Sequence, residues 1–185
     1  MRNSKLDFLF QEEKQIILRN NTIIVDTETT GLDPNKDEIL QIAIVDGNGK
    51  ILFNEYIKPT KTTEWPQAQA INGISPEKVK KCKPLKKYKR KISRIFKNAT
   101  QIIGYNLTFD LKFLEKNIDI YTESQILIDL MPKFAKVFRE PHPFIKGEYK
   151  WQKLTTAAAF YNYKYDPHNA LNDVLATLHI ANNLL

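Results

Sequence analysis

Two carboxylates, Asp26 and Glu28, stand one residue apart where an apolar run ends in the stretch T-I-I-V-D-T-E-T-T-G-L at 22–32. The apolar residues predict a buried strand, and residues i and i+2 of an extended chain point to the same face. Two like charges this close are costly to bury unless a cation lies between them. The pattern favours a hard divalent ion such as Mg²⁺ or Mn²⁺. For this pair alone, an acidic loop after a strand is the plain alternative.

Two further carboxylates and one histidine stand at predicted element ends. Asp110 follows the short predicted strand Q-I-I-G-Y by one helical turn, Asp173 lies one turn into the last predicted helix, and His168 opens that helix. Several carboxylates in one place can hold two ions roughly 3.5–4 Å apart, as phosphodiester hydrolysis requires. A helix dipole disfavours the charged form of a histidine at its N-terminus, so His168 is a candidate proton acceptor.

The elements that must position these residues form a mixed α/β pattern. Strands are predicted at 22–25, 39–46, 51–57, 101–105 and 126–128, and the turn at 47–49 predicts a hairpin. Helices are predicted from Ser75, from Pro84, over 107–116, over 154–161 and from Pro167 to the end, while 59–74 and 139–150 are predicted loops. The order β-β-β-α-α-β-α-β-α-α indicates one α/β domain over 22–185, with a mixed sheet flanked by helices. Residues 1–21 are predicted to be an amphipathic helical extension.

Composition excludes several classes of protein. The chain has 185 residues, a single cysteine (Cys82) and 26% charged residues, so neither a disulfide framework nor a cysteine-based zinc site is expected. The sequence has no apolar run of about 20 residues and no signal-peptide pattern. We therefore expect a soluble, cytoplasmic protein with no membrane partner.

The positive charge is concentrated in one segment. Residues 78–97 contain 11 Lys and Arg and no acidic residue, whereas the remainder has 17 basic and 21 acidic residues. Leu85, Tyr88, Ile92, Ile95 and Phe96 form one apolar stripe in that segment. Its cations are either a solvated helix surface or an attraction for phosphates, and the two interpretations are compatible.

Three motifs together resemble those of the DEDDh 3′–5′ exonuclease family. They are D-T-E-T-T-G at 26–31, N-L-T-F-D at 106–110 and H-N-A-L-N-D at 168–173, in the family's order and spacing. The resemblance covers roughly 22–185 and implies a ribonuclease-H-like fold. The family includes the epsilon proofreading subunit of bacterial replicative polymerases.

The resemblance also implies roles for individual residues. Asp26, Glu28, Asp110 and Asp173 would bind two Mg²⁺ or Mn²⁺ ions, with Asp26 bridging both, and His168 would be the general base. Thr29, Thr30, Gly31 and Leu32 would lie along the 3′-terminal nucleotide. Asn106 and Phe109 would contact substrate, although each also has a local role, as helix cap and as core aromatic.

Other conspicuous residues have simpler interpretations. Asp129 is expected to be a structural carboxylate, and His142 and His179 to have surface or packing roles. Trp65 and Trp151 can stack on bases but are expected to pack in loops. Asn72 stands where many relatives have a histidine.

The predicted activity is a metal-dependent 3′–5′ exonuclease that releases nucleoside 5′-monophosphates from single-stranded 3′ ends, with DNA favoured over RNA. An RNA exonuclease of the same family and a catalytically silent nucleic-acid-binding or adaptor module are the alternatives. The epsilon subunit has a C-terminal polymerase-binding tail and this chain ends at its last predicted helix. A free-standing nuclease is therefore expected, with a polymerase or repair complex left open as a partner.

Overall fold

A computed structural model describes residues 21–185, so the predicted N-terminal extension lies outside the described residues apart from Asn21. The strands are β1 (Thr22–Thr29), β2 (Ile39–Asp46), β3 (Ile51–Tyr56), β4 (Gln101–Gly104) and β5 (Ile126–Asp129). The helices are α1 (Pro66–Asn72), α2 (Pro76–Val79), α3 (Lys89–Asn98), α4 (Leu107–Asn117), α5 (Leu130–Phe138), α6 (Leu154–Phe160) and α7 (Ala170–Leu184), with a 3₁₀ turn at Leu85–Lys87.

The strands form one mixed sheet in the order β3-β2-β1-β4-β5. The first three strands form an antiparallel meander, whose predicted hairpin between β2 and β3 is confirmed. β4 and β5 add to the other edge in parallel, β4 beside β1 and β5 beside β4. β1 is therefore the central strand, and the carboxylates at its end are surrounded by the other elements.

Each face of the sheet is covered by helices because β1 is apolar on both sides. Ile23 and Val25 pack with residues of α3 and α4 on one face. Ile24 packs with residues of α5, α6 and α7 on the other. A parallel or central strand covered on both faces has a continuous apolar sequence, as β1 has at its start.

Two helices were not predicted. α1 lies in the predicted loop 59–74, where Pro66 occupies the first helical turn and Gly73 ends the helix in the left-handed conformation. α5 follows β5 directly, with Asp129 as its N-cap and Leu130, Phe134 and Ala135 buried. Proline in the first turn of a helix removes no intrahelical hydrogen bond. Pro66 and Pro132 are therefore compatible with helices, and the prediction of a loop over the whole of 59–74 was wrong.

Two predicted helix starts also needed correction. The last helix begins at Ala170, and Asn169 is its N-cap: the Asn169 side chain accepts a hydrogen bond from the N–H of Leu171 at 3.1 Å. His168 therefore precedes the helix instead of opening it. Asn106 precedes α4 in the left-handed conformation and makes no side-chain capping bond, so its predicted capping role is wrong. The Ser75 cap before α2 is confirmed.

None of the helices in the described part of the chain has both the length and the apolar character needed to cross a membrane.

Candidate active site

A cleft of about 790 Å³ opens at the carboxyl ends of β1 and β4. This volume is in the range of ligand-binding pockets, roughly 300–1,000 Å³. All four predicted metal ligands and His168 line it: Asp26, Glu28, Asp110, His168 and Asp173. The structure thus brings together residues separated by up to 147 positions in sequence, from β1, α4 and the start of α7.

Asp110 is held against β1 by the residue between the other two carboxylates. Thr27 donates two hydrogen bonds to Asp110 Oδ1, from its backbone N–H at 2.9 Å and from its hydroxyl at 2.7 Å. The pairs between β1 and β4 end at Ile24 and Ile103, so this side of β1 is free to bind α4 at Thr27. Thr27 is a site residue that the sequence analysis did not identify.

The turn between β4 and α4 has little room for side chains. A Cβ at Gly104 would lie 3.2 Å from the backbone Cα of Leu107 and closer still to its side chain. Glycine is therefore needed for α4 to follow β4 so closely. The carboxylate of Asp129 accepts hydrogen bonds from the N–H groups of Asn106, at 2.9 Å, and Met131, at 3.0 Å. These bonds agree with the expected structural role of Asp129.

Asp173 and His168 are positioned by the start of α7. The backbone N–H of His168 donates to Asp173 Oδ2 at 3.1 Å, and His168 has a positive φ of 65°. Gln41, buried in β2, accepts from the N–H of Ala170 at 3.2 Å. Since Gln41 is paired with Glu28 across β1 and β2, the start of α7 is fixed next to the Glu28 end of the site.

The structure places His168 beside two of the carboxylates. A ring nitrogen of His168 and one carboxylate oxygen each of Glu28 and Asp173 lie within 4.8 Å of one another, a spacing that can hold a metal ion. His168 is exposed at the cleft. This position allows the ring either to take a proton from a molecule in the cleft or to bind a metal.

Burial and mutual repulsion keep the carboxyl groups from ionising easily. Burial is the main cause of every shift: it raises the pKa of Asp173 to about 6, of Glu28 to about 7 and of Asp110 to about 8. The pKa of Asp26 is raised well above its usual value by burial and then by the charges of Asp110, Asp173 and Glu28. Asp26 is thus a carboxylate whose pKa depends on the charges of all three others.

Neighbouring polar groups offset part of these shifts. Hydrogen bonds from Thr27 lower the pKa of Asp110, and the nearby Asn72 amide lowers that of Glu28. The hydroxyl of Tyr165, which lies next to Asp173, lowers that of Asp173. In the described part of the chain this buried hydroxyl oxygen has no hydrogen-bond partner closer than 3.5 Å. Asn72 and Tyr165 were not predicted as site residues.

The donor set fits a divalent cation. No salt bridge within residues 21–185 involves any of the four carboxylates, so no Lys or Arg side chain there neutralises their charge. Carboxylate oxygens are the preferred ligands of hard ions such as Mg²⁺ and Mn²⁺. A bound cation would remove the repulsion that raises these pKa values.

The predicted substrate contacts divide into two groups. Leu32, Asn106 and Phe109 line the cleft. Thr29, Thr30 and Gly31 do not line it and instead form the frame of the following loop.

Hydrogen bonds to neighbouring residues maintain this frame. Thr29 donates to the carbonyl oxygen of Gly31 at 2.6 Å, and Thr30 donates to Asp37 at 3.2 Å. A Cβ at Gly31 would overlap the Asp37 carboxylate, so the packing of this loop by itself explains why the residue is glycine.

The remaining aromatic and histidine predictions had different outcomes. Trp65 is buried and donates to the carbonyl oxygen of Ile74 at 2.6 Å, so the packing prediction is confirmed. Trp151 is exposed and lines the cleft, so the packing prediction for it is wrong. His142 accepts from two N–H groups of its own surface loop, and His179 stacks on Tyr163, as expected for surface and packing roles.

A protein-family model described as Exonuclease, RNase_T, matches residues 23–181. The chain belongs to this exonuclease family. The match confirms the resemblance to the DEDD 3′–5′ exonucleases drawn from the three motifs, and with it the ribonuclease-H-like fold. Exonucleases of this family are hydrolases that use divalent metal ions, which agrees with the acidic cleft.

Individual relatives of this exonuclease include both DNA- and RNA-related proteins. An uncharacterized exonuclease of Escherichia phage 186 is 33% identical over 178 residues, covering 90% of this chain and 89% of the relative. A DNA polymerase III epsilon subunit of Rickettsia prowazekii is 29% identical, covering 86% and 72%. RNA exonuclease 4 of Xenopus laevis is 30% identical, covering 61% and 27%.

The fold of this exonuclease is similar to that of E. coli Exonuclease I. A crystal structure of that protein with a dA16 oligonucleotide has a TM-score of 0.69 and 22% sequence identity to this chain. The similarity covers 87% of this chain but 40% of Exonuclease I. At this level of identity the comparison establishes the shared fold.

Proposed function

We propose that this exonuclease hydrolyses single-stranded nucleic acid from its 3′ end by a two-metal mechanism and releases nucleoside 5′-monophosphates. The observation that carries the proposal is the convergence of four carboxylates from three elements in one cleft, with no salt bridge to Lys or Arg within residues 21–185. Two ions roughly 3.5–4 Å apart need several anionic ligands and space for a phosphate.

Asp26, Glu28, Asp110 and Asp173 would hold the ions, with Asp26 shared between them. Its position supports this assignment, because the charges of the other three all raise the pKa of Asp26. When bound, Mg²⁺ or Mn²⁺ would stabilise the charge that develops on the phosphate and lower the pKa of the attacking water. The role of Thr27 is to hold Asp110 in the orientation that binding requires.

His168 would act as the general base. It takes a proton from the water whose oxygen attacks the phosphorus, while the bond from phosphorus to the 3′ oxygen of the preceding nucleotide breaks. The phosphate stays on the 5′ side of the released nucleotide, and the leaving 3′ oxygen takes a proton from solvent water to become the new 3′ hydroxyl of the shortened strand. Leu32, Asn106 and Phe109 would contact the terminal nucleotide, and the loop frame of Thr29, Thr30 and Gly31 would fix Leu32.

We favour DNA as the substrate. The epsilon subunit, a component of a DNA polymerase, aligns over 86% of this chain, whereas the RNA exonuclease aligns over 61%. A catalytically silent binding or adaptor module is the competing function, and the presence of all five predicted catalytic residues in one cleft argues against it. Association with a polymerase or repair complex would be compatible with activity.

Matched single-stranded DNA and RNA oligomers of the same sequence test the proposal. Each is incubated with the protein and Mg²⁺ or Mn²⁺, and kcat/KM is compared between them. The proposal predicts hydrolysis of both or of DNA alone, with the larger kcat/KM for DNA, and no hydrolysis by Asp26→Ala. A larger value for RNA would reverse the substrate assignment, and no hydrolysis of either would favour the silent module.

A further inference from the structure

Trp151 presents a large aromatic surface at the mouth of the cleft. Its side chain is 62% exposed, whereas Trp65, the other tryptophan, is 3% exposed. Exposing an indole forgoes the free energy gained when apolar surface leaves water. Trp151 lines the same cleft as the carboxylates. An exposed aromatic ring at the mouth of a substrate cleft is suited to contact a ligand.

The backbone on both sides of Trp151 is fixed. Lys150 pairs with Glu140 through a backbone hydrogen bond and a salt bridge, both at 2.8 Å. The side-chain amide of Gln152 donates to the other carboxylate oxygen of Glu140 at 2.8 Å. The backbone carbonyl oxygen of Gln152 accepts from the hydroxyl of Tyr105 at 2.9 Å. Because the residues on both sides are held by these bonds, the Trp151 ring is kept exposed in one place, which preorganises it for binding.

Trp151 lies on the side of the cleft that follows β4, as do Asn106 and Phe109, whereas Leu32 follows β1. Tyr105, to which the Trp151 segment is bonded, directly follows β4. Leu32 follows β1, and Ile71 of α1, next to the Asn72 that binds the end of β1, is also exposed in the cleft. The cleft thus has exposed apolar side chains near the carboxyl ends of both β1 and β4.

The side chains on the β4 side of the cleft suit the binding of a nucleobase. An indole offers a flat π-surface that stacks on any base, with little dependence on sequence. Lys153, two residues after Trp151, also lines the cleft and supplies a positive charge for a phosphate. An aromatic ring with a neighbouring cation matches the alternating bases and phosphates of a single strand.

We propose that Trp151 forms a base-stacking subsite for one of the last two nucleotides at the 3′ end of the bound strand. The proposal rests on the proposed exonuclease function and assigns part of its substrate recognition to the β4 side of the cleft. Trp151 is a positioning residue here: it orders the strand so that the terminal phosphodiester lies at the carboxylates, and it takes part in no bond-breaking step.

Tryptophan fluorescence tests the subsite without turnover. A single strand whose last two linkages are hydrolysis-resistant phosphorothioates is titrated into the protein with Mg²⁺. Stacking is expected to quench the exposed Trp151, while the buried Trp65 keeps its emission. The signal should disappear in Trp151→Phe although the oligonucleotide still binds by anisotropy. Binding by anisotropy without any quenching in the wild type would overturn the subsite.

Kinetics with a modified substrate tests which base is stacked. Trp151→Ala is expected to raise KM by about 5- to 150-fold, the range for loss of one base–aromatic stack, with kcat little changed. Trp151→Phe should recover most of this loss. Strands that are abasic at the terminal or at the penultimate position are compared, and wild type and Trp151→Ala should have nearly the same KM on the strand that lacks the stacked base. An equal KM increase on the intact strand and on both abasic strands would overturn the subsite.

A control variant separates loss of stacking from loss of exposed aromatic surface in general. Tyr121 is 77% exposed and does not line the cleft, so Tyr121→Ala should leave KM unchanged. If the proposed exonuclease function is wrong, the wild type will hydrolyse none of the strands, which differs from every outcome described for the subsite. In that case the fluorescence titration still decides the subsite, because it requires binding and not hydrolysis.

Discussion

Thr27 donates both its backbone N–H and its hydroxyl to the same oxygen of Asp110, at 2.9 and 2.7 Å. The residue between two carboxylates of the first motif thus fixes the carboxylate of the second. A metal ligand that is held by hydrogen bonds keeps its orientation and binds more tightly than a free one.

Thr27→Val is therefore expected to lower metal affinity or activity by about 10- to 100-fold, the usual effect of removing a partner of a ligand. The fold should be maintained, since valine is also β-branched and suits a strand. A Mn²⁺ titration of activity measures the effect. Thr122→Val is a matched control, because Thr122 makes the same type of bond, to Glu115 at 2.8 Å, in a different part of the structure. Equal effects of the two variants would contradict the role of Thr27.

Asp26→Ala and Asp110→Asn should each abolish hydrolysis, because each removes a proposed metal ligand. Asparagine at 110 keeps the oxygen that accepts from Thr27, so the contact with β1 remains. In chelator, both variants should melt at or above the temperature of the wild type, since like-charge repulsion is relieved. Each kcal/mol gained would raise Tm by about 2–4 °C in a chain of this size. Activity near that of the wild type at saturating Mg²⁺ would refute the ligand assignment.

The raised pKa values predict how stability depends on pH without metal. Unfolded carboxyl groups titrate near pH 4, whereas the folded pKa values are about 6 for Asp173, 7 for Glu28 and 8 for Asp110. Between these limits the folded state binds more protons, so the contribution of these groups to stability is fully present below about pH 4 and is lost as pH rises to about 8.

In chelator, Tm should therefore fall between pH 5 and pH 8, and Mg²⁺ or Mn²⁺ should raise it most at the upper end of that range. Asp110→Asn should show a shallower fall, because one of the four carboxyl groups with a raised pKa is absent. Melting curves at several pH values, with and without metal, provide the comparison. A wild-type Tm that rises with pH in chelator would show that the carboxylates are not protonated as described.

His168→Ala should lower kcat by about 10²- to 10⁴-fold, the range for loss of a general base. Affinity for Mn²⁺ should stay nearly unchanged. The proximity of His168 to Glu28 and Asp173 makes this a sharp test, because the same geometry can hold a metal. A large loss of Mn²⁺ affinity, with activity restored by excess metal, would make His168 a ligand.

The lysine-rich segment at 78–97 lies outside the cleft, and Lys80 alone among its cations forms a salt bridge within residues 21–185. Charge reversal at Lys86, Lys87, Lys89 and Arg90 should raise KM and leave kcat almost unchanged if the segment attracts phosphates. Each lost contact should reduce the log–log salt slope by about 0.7. Lys50→Glu, in the β2–β3 turn, is the control. An unchanged slope in the multiple variant would make the segment a solvated surface only.

The sequence predicted that the candidate metal ligands lie together because the motifs lie where strands end and helices begin. The apolar start of β1 and the apolar residues of β2 reflect burial, which is a local property of each strand. Asp110 and Asp173 were placed correctly within their helices for the same reason. Their convergence depends on the order of the strands, which the family resemblance supplied.

The contacts that hold the site together were not predictable from local pattern. Thr27, Gln41 and Asn72 bind residues far away in sequence, and their types are common in strands and helix ends. The left-handed conformations of Asn106 and His168 also depend on tertiary contacts, through the carboxylates of Asp129 and Asp173. Trp151 was assigned to packing because nothing near it in sequence shows that its ring faces the cleft.

The most direct measurement is the digestion of a 5′-labelled single strand with and without a divalent metal, followed through time. With metal, the labelled strand should shorten one nucleotide at a time, and mass spectrometry should identify nucleoside 5′-monophosphates as the unlabelled product. With chelator, or with Asp26→Ala, the strand should remain intact. A labelled mononucleotide as the first product, or shortening that persists in chelator, would contradict a metal-dependent 3′–5′ exonuclease.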